Sequence, residues 1–467
     1  MVAILEDLSL SAELPHGQIR NITSPDQIIT AAMSQQQHTL LSAGSNSRGQ
    51  LGIGSTNDSH LFQKCSFVDC PPFQLPAQTT RIVDLVTGAN HTVILLELSD
   101  QAATLRREIW GTGDGSKGQL GGFKSQDTTE NPALQTLIFR KIELPLLDAS
   151  LGDYSFKFIG AAWETSYIVL SCEGKDDMVI SMGSNEYGDL GIGGSQLEHP
   201  FNIVHLEHLF RDTSKRDRLI VNSLTVGQRH VILDLQVLFS DKSSYEQVIV
   251  GWGTSRQGQL GAPSSSTQRP PPFVPAPKII PLPRQLDPVV TVALGFQHSV
   301  FLHASGHVTS LGSDKKGQLQ IVSNIDDIKD IKCTWNGTYR VVRDGSGWSI
   351  ISSGSNSHGQ LGYQGPSVST RRVIFPSTVN AADTFVQIAC GTEHVIALIS
   401  PLNSQNPAGP TSQVWGWGWN EHGNLGLGAT EDVKVPVHIW PLGLKESVHV
   451  SGIWAGCGTS WIDCVYR

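Results

Sequence analysis

One nine-residue motif, G-S-N-x-x-G-Q-L-G, recurs seven times with substitutions along the 467 residues, and this repetition limits the folds open to the chain. The leucine two residues after the central glycine is present in every copy, which predicts one equivalent core position per repeat unit. The glycines suit a backbone that reverses tightly with positive φ. The central glycines and leucines are Gly49 and Leu51, Gly118 and Leu120, Gly188 and Leu190, Gly258 and Leu260, Gly317 and Leu319, Gly359 and Leu361, and Gly423 and Leu425.

A second motif, G-x-x-H-[ST] followed by an apolar strand, alternates with the first. Four copies keep the histidine, and because each lies in its own unit, the four cannot converge on one metal or acid–base site. A buried hydrogen bond that holds the turn is the better account of them. In the other three copies the histidine is replaced, with no compensating change evident. The residues at this position are His91, Thr165, His230, His298, Gly337, His394 and Thr459.

The two ends of the chain decide the topology. The first G-S-N copy, at Gly44, has no G-x-x-H copy upstream, and the last G-x-x-H copy, at Gly456, has no G-S-N copy downstream. These two orphan halves complete one unit if the array closes on itself. Short antiparallel sheets arranged radially bury their edges against one another. The sequence therefore predicts an all-β fold, a seven-bladed β-propeller closed by pairing of the N- and C-terminal segments, with residues near 38–54 and 450–465 sharing one blade.

The domain organisation follows from the repeats. Residues 1–37 lie outside them and are expected to form a tail or a blade-edge cover, whereas residues 38–467 form the propeller. The segments 122–155 and 193–222 are long enough for short helices, and the proline-rich segment 262–288 is expected to be an extended surface loop. The predicted inserts lie near residues 55–80, 122–155, 193–222, 262–288 and 400–412.

Composition narrows the classes of function. With 33 basic and 42 acidic residues the net charge is −9, which disfavours direct DNA contact. No apolar run approaches the roughly 20 residues of a membrane-spanning helix, and the acidic first 14 residues resemble no export or transit signal. The expected compartments are the cytoplasm and the nucleus. The seven cysteines include no C-x-x-C pair, and no catalytic constellation stands apart from the repeats, so no disulfide framework, metal, cofactor or catalytic residue is predicted.

Equivalent positions of the seven copies form a column. Residues that differ in type from the rest of their column are the candidates for binding. Four positions before the central glycine, six copies carry Ser, Thr or Asp, and the seventh carries Trp419. Exposed tryptophans are enriched in binding hot spots. The predicted contact segment is Trp417 to His422, including Glu421, although Trp417 shares a column with Trp252 that favours the core. The alternative for Trp419 is packing over a neighbouring insert.

A second set of departures occurs in the G-x-x-H turns. The second turn position carries Trp163, Phe296 and Trp335, where the other copies have mainly small or polar residues. Equivalent turns of a propeller lie on one face, so these aromatic residues are candidates for a patch on that face. Packing against a neighbouring blade is the alternative.

Both motifs are those of the regulator of chromosome condensation repeat family, and the resemblance extends over about 430 residues. Within that family, Trp415–Asn424, Trp335–Thr338 and the terminal Gly456–Ile462 look like the fungal alpha-tubulin suppressor branch, also known as the killer-toxin-insensitivity propeller. The N-terminal tail and the long inserts depart from that branch.

The resemblance implies a non-enzymatic adaptor. Its partner would be the small zinc- or iron-binding diphthamide-synthesis protein, an electron carrier bound as a heterodimer. Through this partner the branch supports Elongator-dependent modification of the tRNA wobble uridine and diphthamide synthesis on elongation factor two, with Elongator contacted at most indirectly. Two alternatives remain open: a guanine-nucleotide exchange factor for a small GTPase of the Ran type, and a tubulin- or chromatin-associated scaffold.

Overall fold

The structure is a computed structural model that describes residues 37–100, 102–121, 135–195, 200–210, 216–239, 245–261, 269–283, 287–320, 327–365, 370–382, 384–402, 412–442 and 448–466. Within these residues the strands form seven antiparallel sheets, six of four strands and one of three. Their innermost strands contact one another in sequence, and the last contacts the first, so the ring is closed. The predicted seven-bladed propeller is confirmed.

One blade joins the two ends of the chain. Its strand order from the centre outwards is β26, β27, β1, β2. The strands β1 and β27 pair over eight residues, from Gln37 opposite Tyr466 to Gly44 opposite Thr459. The predicted closure by the two terminal segments is therefore correct, and Gln37, assigned to the tail, is the first residue of β1. The bounds of this closing blade are β1 (Gln37–Gly44), β2 (Ser59–Lys64), β26 (Val448–Ala455) and β27 (Thr459–Tyr466).

The other six blades, numbered 1 to 6 along the chain, are each built from consecutive strands. Blades 1 and 2 comprise β3 (Thr79–Thr87), β4 (His91–Ser99), β5 (Leu105–Asp114) and β6 (Gln135–Lys141), then β7 (Ser155–Ala161), β8 (Thr165–Ser171), β9 (Met178–Gly183) and β10 (Asn202–Ile203). Blades 3 and 4 comprise β11 (Arg216–Val226), β12 (His230–Phe239), β13 (Tyr245–Thr254) and β14 (Phe273–Ile279), then β15 (Val289–Leu294), β16 (His298–His303) and β17 (Val308–Gly312). Blades 5 and 6 comprise β18 (Ile328–Thr334), β19 (Gly337–Asp344), β20 (Gly347–Gly354) and β21 (Arg371–Arg372), then β22 (Thr384–Cys390), β23 (His394–Pro401), β24 (Gln413–Gly418) and β25 (Val433–Trp440).

The core lies between the blades. The second strand of blade 1 is buried at every residue from His91 to Leu96, because neighbouring blades cover both of its faces. The repeated leucine is at most 1% exposed in six blades. Only Leu319, in the blade with three described strands, is partly exposed. The leucine column therefore fills the predicted equivalent core position.

The predicted inserts are only partly loops. Residues 55–80 include β2, residues 122–155 include β6, and residues 193–222 include β10, one 3-10 turn at Glu207–Leu209 and the start of β11. The prediction of an extended surface loop at 262–288 is wrong for Phe273–Ile279, because these residues form β14, the outer strand of blade 3. Proline is tolerated there because an edge strand leaves half of its N–H groups unpaired. Most of segment 400–412 and nearly all of the tail lie outside the described residues.

The four repeated histidines hold neighbouring blades together. Each is at most 1% exposed, and its Nε2 bonds to a hydroxyl in the next blade. The predicted hydrogen bond exists, but it spans two blades and not one turn. Burial lowers the pKa of these imidazoles, to about 3 for His230 and about 4 for the others, so they are neutral. The pairs are His91–Ser166 at 2.9 Å and His230–Ser299, His298–Thr338 and His394–Ser460, each at 3.1 Å.

Two junctions that lack the histidine use aromatic side chains. Between blades 2 and 3, the backbone carbonyl of Asp189 accepts hydrogen bonds from Tyr167 Oη at 2.6 Å and Trp252 Nε1 at 2.8 Å. Between blades 5 and 6, the carbonyl of Gln360 accepts them from Tyr339 Oη at 2.6 Å and Trp417 Nε1 at 2.9 Å. The prediction that no other change compensates for the missing histidines is therefore wrong. Larger residues replace them elsewhere in the same junction.

Candidate functional site

Both repeated turns lie at the same end of every blade, because they follow the first and third strands of an antiparallel sheet. A backbone hydrogen bond joins them in all seven blades, from the position of the G-S-N turn that Trp419 occupies to the third residue of the G-x-x-H turn. We call this end of the propeller the motif face. The donors and acceptors are Ser45 and Gly458, Asp114 and Asn90, Ser184 and Glu164, Thr254 and Arg229, Ser313 and Gln297, Ser355 and Asn336, and Trp419 and Glu393, at 2.7 to 3.0 Å.

Three of the predicted aromatic residues meet at the centre of the motif face. Trp335 contacts Trp163 with ring centroids 6.2 Å apart and Phe296 with centroids 5.6 Å apart, although the three come from blades 5, 2 and 4. All three are half-buried. Backbone hydrogen bonds between successive turns, such as Trp335 N–H to the Thr392 carbonyl at 2.8 Å, fix their positions. We call these three residues the central aromatic cluster.

Below this cluster the innermost strands line a cavity of about 290 Å³. Its walls carry Leu224, Val226 and three cysteines from successive blades, Cys333, Cys390 and Cys457. Burial raises the pKa of all three thiols, to about 12 for Cys333 and about 11 for Cys457. They are therefore protonated, and a thiol that stays protonated is a poor nucleophile.

The predicted residues Trp419, Glu421 and His422 form a second cluster on the motif face. The imidazole of His422 stands edge-on to the Trp419 ring with centroids 5.3 Å apart, and the Trp419 Nε1 donates to Glu421 Oε2 at 3.3 Å. Trp419 is half-buried because it leans on the closing blade. A Cβ added at Gly458 would lie 3.3 Å from its ring. The Trp419 ring thus rests on a neighbouring turn, and its side chain keeps an accessible part.

Charged groups surround this cluster. His358, from the preceding blade, lies with its ring centroid 6.4 Å from that of Trp419 and bonds to Asp432 at 2.8 Å. His422 bonds to Asp58 at 2.6 Å. We call Trp419, His358, Glu421 and His422 the Trp419 cluster. It offers an aromatic edge, an indole N–H and two imidazoles to a partner.

Trp417 is not part of this surface. Its side chain is 0% exposed and donates to the Gln360 carbonyl within the junction of blades 5 and 6. A fully buried side chain cannot contact a partner, so the prediction of Trp417 as a binding residue is wrong. Its column, shared with the equally buried Trp252, indicated the core correctly.

Arg229 and Tyr187 also lie on the motif face, although neither was predicted as a site residue. The Arg229 guanidinium carbon lies 4.1 Å from the Tyr187 ring centroid and 5.8 Å from that of Trp163. Both residues leave their columns: Arg229 follows the aromatic position of a G-x-x-H turn, where Asn, Gln, Glu or Gly stand elsewhere, and Tyr187 replaces Arg, Lys, Gln or His. The column comparison that singled out Trp419 therefore contained the signal for both.

The described residues contain no group of three or more His, Cys, Asp or Glu side chains placed to hold a metal ion. In the same part of the chain, no helix is long and apolar enough to cross a membrane. The chemistry that the motif face does offer is that of recognition: aromatic rings, a stacked guanidinium, and imidazoles paired with carboxylates.

Comparison with known proteins agrees with this architecture. Residues 37–95, 250–302, 349–398 and 412–460 match the family model of the regulator of chromosome condensation (RCC1) repeat. An RCC1 repeat-containing protein of Schizosaccharomyces pombe is 26% identical over 435 residues, which cover 91% of this chain and 98% of the relative. A secretion-regulating guanine nucleotide exchange factor of Bos taurus is 24% identical, with 90% of this chain and 81% of the relative covered.

Among solved structures, the crystal structure of Prp20p from Saccharomyces cerevisiae superposes with a TM-score of 0.62 at 19% identity, covering 96% of this chain and 95% of that one. At this identity the likeness concerns the fold alone. Together with the seven alternating motifs and the closed ring, these matches show an all-β, seven-bladed propeller of the RCC1-like type, in which four segments are similar to the regulator of chromosome condensation repeat.

Proposed function

We propose that this propeller is a non-enzymatic adaptor that binds a partner protein on its motif face, with the Trp419 cluster as a principal contact. One observation carries the proposal. The residues that leave their repeat columns collect on one face and stay partly exposed, while the same columns in other blades carry small or polar residues. A repeat column without a structural need for an aromatic residue gains one there, and aromatic residues are enriched in binding hot spots.

The partner that we propose is the small metal-binding protein of diphthamide synthesis. The supporting feature is that two segments resembling the tubulin suppressor branch, Trp415–Asn424 and Gly456–Ile462, meet where Trp419 and His422 face Gly458. A tetrathiolate zinc site carries negative charge and exposed sulfur edges. An indole can cover such an edge. The Trp419 N–H donates to Glu421 at 3.3 Å, and this long hydrogen bond can be exchanged for one to an acceptor of the partner.

This binding would regulate access to the partner's metal. The chain would thereby support Elongator-dependent wobble uridine modification and diphthamide synthesis, in the cytoplasm and the nucleus, without chemistry of its own. The heterodimer with this partner is the functional unit in this proposal, and any contribution of Elongator is indirect.

Site-specific photo-crosslinking of the full chain tests the binding face. A benzophenone amino acid at the exposed Glu421 position should crosslink to the captured partner, which mass spectrometry then identifies. The matched control is the same amino acid at Tyr245, which is 57% exposed at the opposite end of blade 3. Crosslinking at position 245 but not at 421 would refute the assignment of the face.

Guanine-nucleotide exchange is the second candidate, favoured by the relative that carries this activity in its name and aligns with 90% of the chain. It is tested by the release of a fluorescent GDP analogue from Ran. Acceleration by the purified chain would favour exchange activity, and an unchanged release rate would leave the adaptor proposal preferred.

A further inference from the structure

The Arg229 side chain occupies a distinctive place on the motif face. Its guanidinium lies between the Tyr187 ring at 4.1 Å and the Trp163 ring at 5.8 Å. A guanidinium stacked on aromatic rings keeps the N–H groups of its edge free to donate, and it is held in one orientation. Tyr187 is 39% exposed, so this pair is open to solvent.

No ion pair neutralises Arg229 within the described part of the chain. The carboxyl group of Asp189, which is 4% exposed, interacts with it electrostatically without forming an ion pair. Burial raises the pKa of Asp189 to about 7, and Arg229 opposes that rise. The Arg229 guanidinium lies over two rings and has no ion-pair partner among the described residues, so it can bind a carboxylate of another molecule.

The neighbouring turns add to this positive charge. Arg256, Lys315 and Lys316 are exposed at the tips of the G-S-N turns of blades 3 and 4, and none forms an ion pair with another described residue. The acidic residues of these and nearby turns are Asp314, which is exposed and accepts from the Leu319 N–H at 2.8 Å, Glu164 and Glu186 in the turns of blade 2, and Glu393, which interacts electrostatically with Lys316.

An apolar surface adjoins the cations. Trp163 belongs both to the guanidinium stack and to the central aromatic cluster, so the charged and aromatic parts are continuous. Nucleic acid fits this arrangement less well. The Trp335 ring is tilted by 43° against Trp163 and by 32° against Phe296, so the cluster offers no set of parallel ring faces for successive stacked bases.

We propose that this Arg229 sector, formed by Tyr187, Arg229, Arg256, Lys315 and Lys316 beside the central aromatic cluster, binds an acidic peptide segment of the partner protein. A carboxylate would accept two N–H bonds from Arg229, and an adjacent apolar side chain would lie on Trp163 and Trp335. This inference rests on the proposed protein-binding function and adds the chemistry of the segment that is bound.

The test measures fluorescence anisotropy of a fluorescein-labelled pentapeptide, phenylalanine between two pairs of glutamates, with the full chain. The matching glutamine peptide is the control for charge. We expect the glutamate peptide to bind at least tenfold more tightly at low salt and to weaken as salt is added. Equal affinity of the two peptides would overturn the inference.

Variants then locate the site. Arg229→Gln should weaken the glutamate peptide at least fivefold with an unchanged melting temperature, and Arg229→Lys should recover only part of the loss, because it lacks the planar fork. Lys117→Gln removes the same charge from an exposed turn of blade 1 and should change the affinity less than twofold. Equal losses for Arg229→Gln and Lys117→Gln would mean non-specific attraction and contradict the proposal.

Two further outcomes are informative. Tighter, Arg229-dependent binding of a single-stranded dodecathymidine than of the glutamate peptide would replace the proposal with a nucleic-acid surface. If Arg229→Gln leaves peptide binding intact while crosslinking at position 421 still captures a partner, the sector assignment fails and the proposed function stands.

Discussion

Four blade junctions are bridged by a histidine and a hydroxyl, whereas two are bridged by a phenol and an indole that share one carbonyl. In the histidine junctions, a glycine precedes the imidazole by three residues. A Cβ at Gly88 would lie 2.1 Å from the His91 ring, so only glycine fits at that position. In the aromatic junctions, Ala162 and Thr334 replace the glycine, since no imidazole stands over them.

The hydroxyl partner changes together with the histidine. The blades that follow Thr165 and Gly337 carry Val231 and Val395 where the other blades have Ser or Thr. Each valine lies opposite a junction tryptophan in the sheet register, Val231 opposite Trp252 and Val395 opposite Trp417. A junction therefore changes as a set of at least four positions, because a lone imidazole or a lone hydroxyl in the core would lack its hydrogen bond. The closing junction mixes both types. The closing blade carries Thr459 and Trp461 at the histidine and phenol positions, and blade 1 carries Thr92, whose Oγ1 donates to the Gln50 carbonyl at 2.8 Å.

Removing the closing strand should have the largest effect. Deleting residues 450–467 removes Ser460, the hydroxyl partner in the last histidine junction, and leaves β1 without its eight-residue pairing to β27. Open edges on adjacent blades favour aggregation. We expect loss of soluble, cooperatively folded protein, measured by size-exclusion chromatography and thermal unfolding. A truncated chain with an unchanged melting transition would contradict the closed-ring account.

Breaking an aromatic junction should cost more than breaking a histidine junction. Trp417→Ala empties a fully buried volume and leaves the Gln360 carbonyl without the indole donor, for a loss of about 3–5 kcal/mol in the free energy of unfolding. Urea denaturation measures this, and Trp417→Phe, which keeps most of the volume, should lose less. Equal stability of Trp417→Ala and wild type would show that the indole is not a junction element.

His394 lies in the same blade and provides the comparison. His394→Ala should cost about 1–3 kcal/mol through loss of the bond to Ser460. Burial lowers the pKa of His394 from its ordinary 6.5 to about 4, so the unfolded chain binds the extra proton between these values. Its stabilising contribution is complete above pH 6.5 and is lost as the pH falls towards 4.

The slope of stability against pH checks this sign. Between pH 6.5 and 4 the wild type should lose stability more steeply than His394→Ala, in urea titrations at closely spaced pH values. Parallel pH dependences for the two proteins would mean that the imidazole is not held neutral in the fold.

The smallest effect tests whether junction positions change as a set. A Cβ at Gly227 would lie 3.0 Å from the His230 ring, so Gly227→Ala should destabilise by about 1 kcal/mol. In a His230→Thr background the same change should cost at least about 0.5 kcal/mol less, as a double-mutant cycle would record. If the two losses of unfolding free energy add strictly, the requirement for glycine at position 227 does not depend on His230.

The sequence was sufficient for the parts of the fold that the motifs mark. The alternating turns, the leucine column and the orphan halves at Gly44 and Gly456 predicted seven blades and their closure. It was insufficient for the outer strands, since no motif marks them and β14 contains Pro275 and Pro277. The histidine bonds also escaped it, because their partners lie 40 to 75 residues away in the next blade.

For the candidate site, column departures located Trp163, Phe296 and Trp335 on one face but gave no means to show that their rings touch. That contact depends on how closely the turns of blades 2, 4 and 5 approach one another in the closed ring, which no local pattern encodes. The Arg229 stack escaped for a related reason. Its two rings come from Trp163 and Tyr187, 66 and 42 residues earlier in the chain, so only the packed blades bring the three together.

The central claim, that the motif face docks a protein through Trp419, is tested most directly by calorimetry with the zinc-loaded diphthamide-synthesis protein. We expect wild type to bind, and Trp419→Ala to bind about thirtyfold more weakly, as loss of about 2 kcal/mol at a hot-spot tryptophan requires, with little change in melting temperature. Ser355→Ala, in the same column of blade 5, is the matched control and should bind like wild type. Equal affinities of wild type and Trp419→Ala for this partner, or no binding by wild type, would contradict the account.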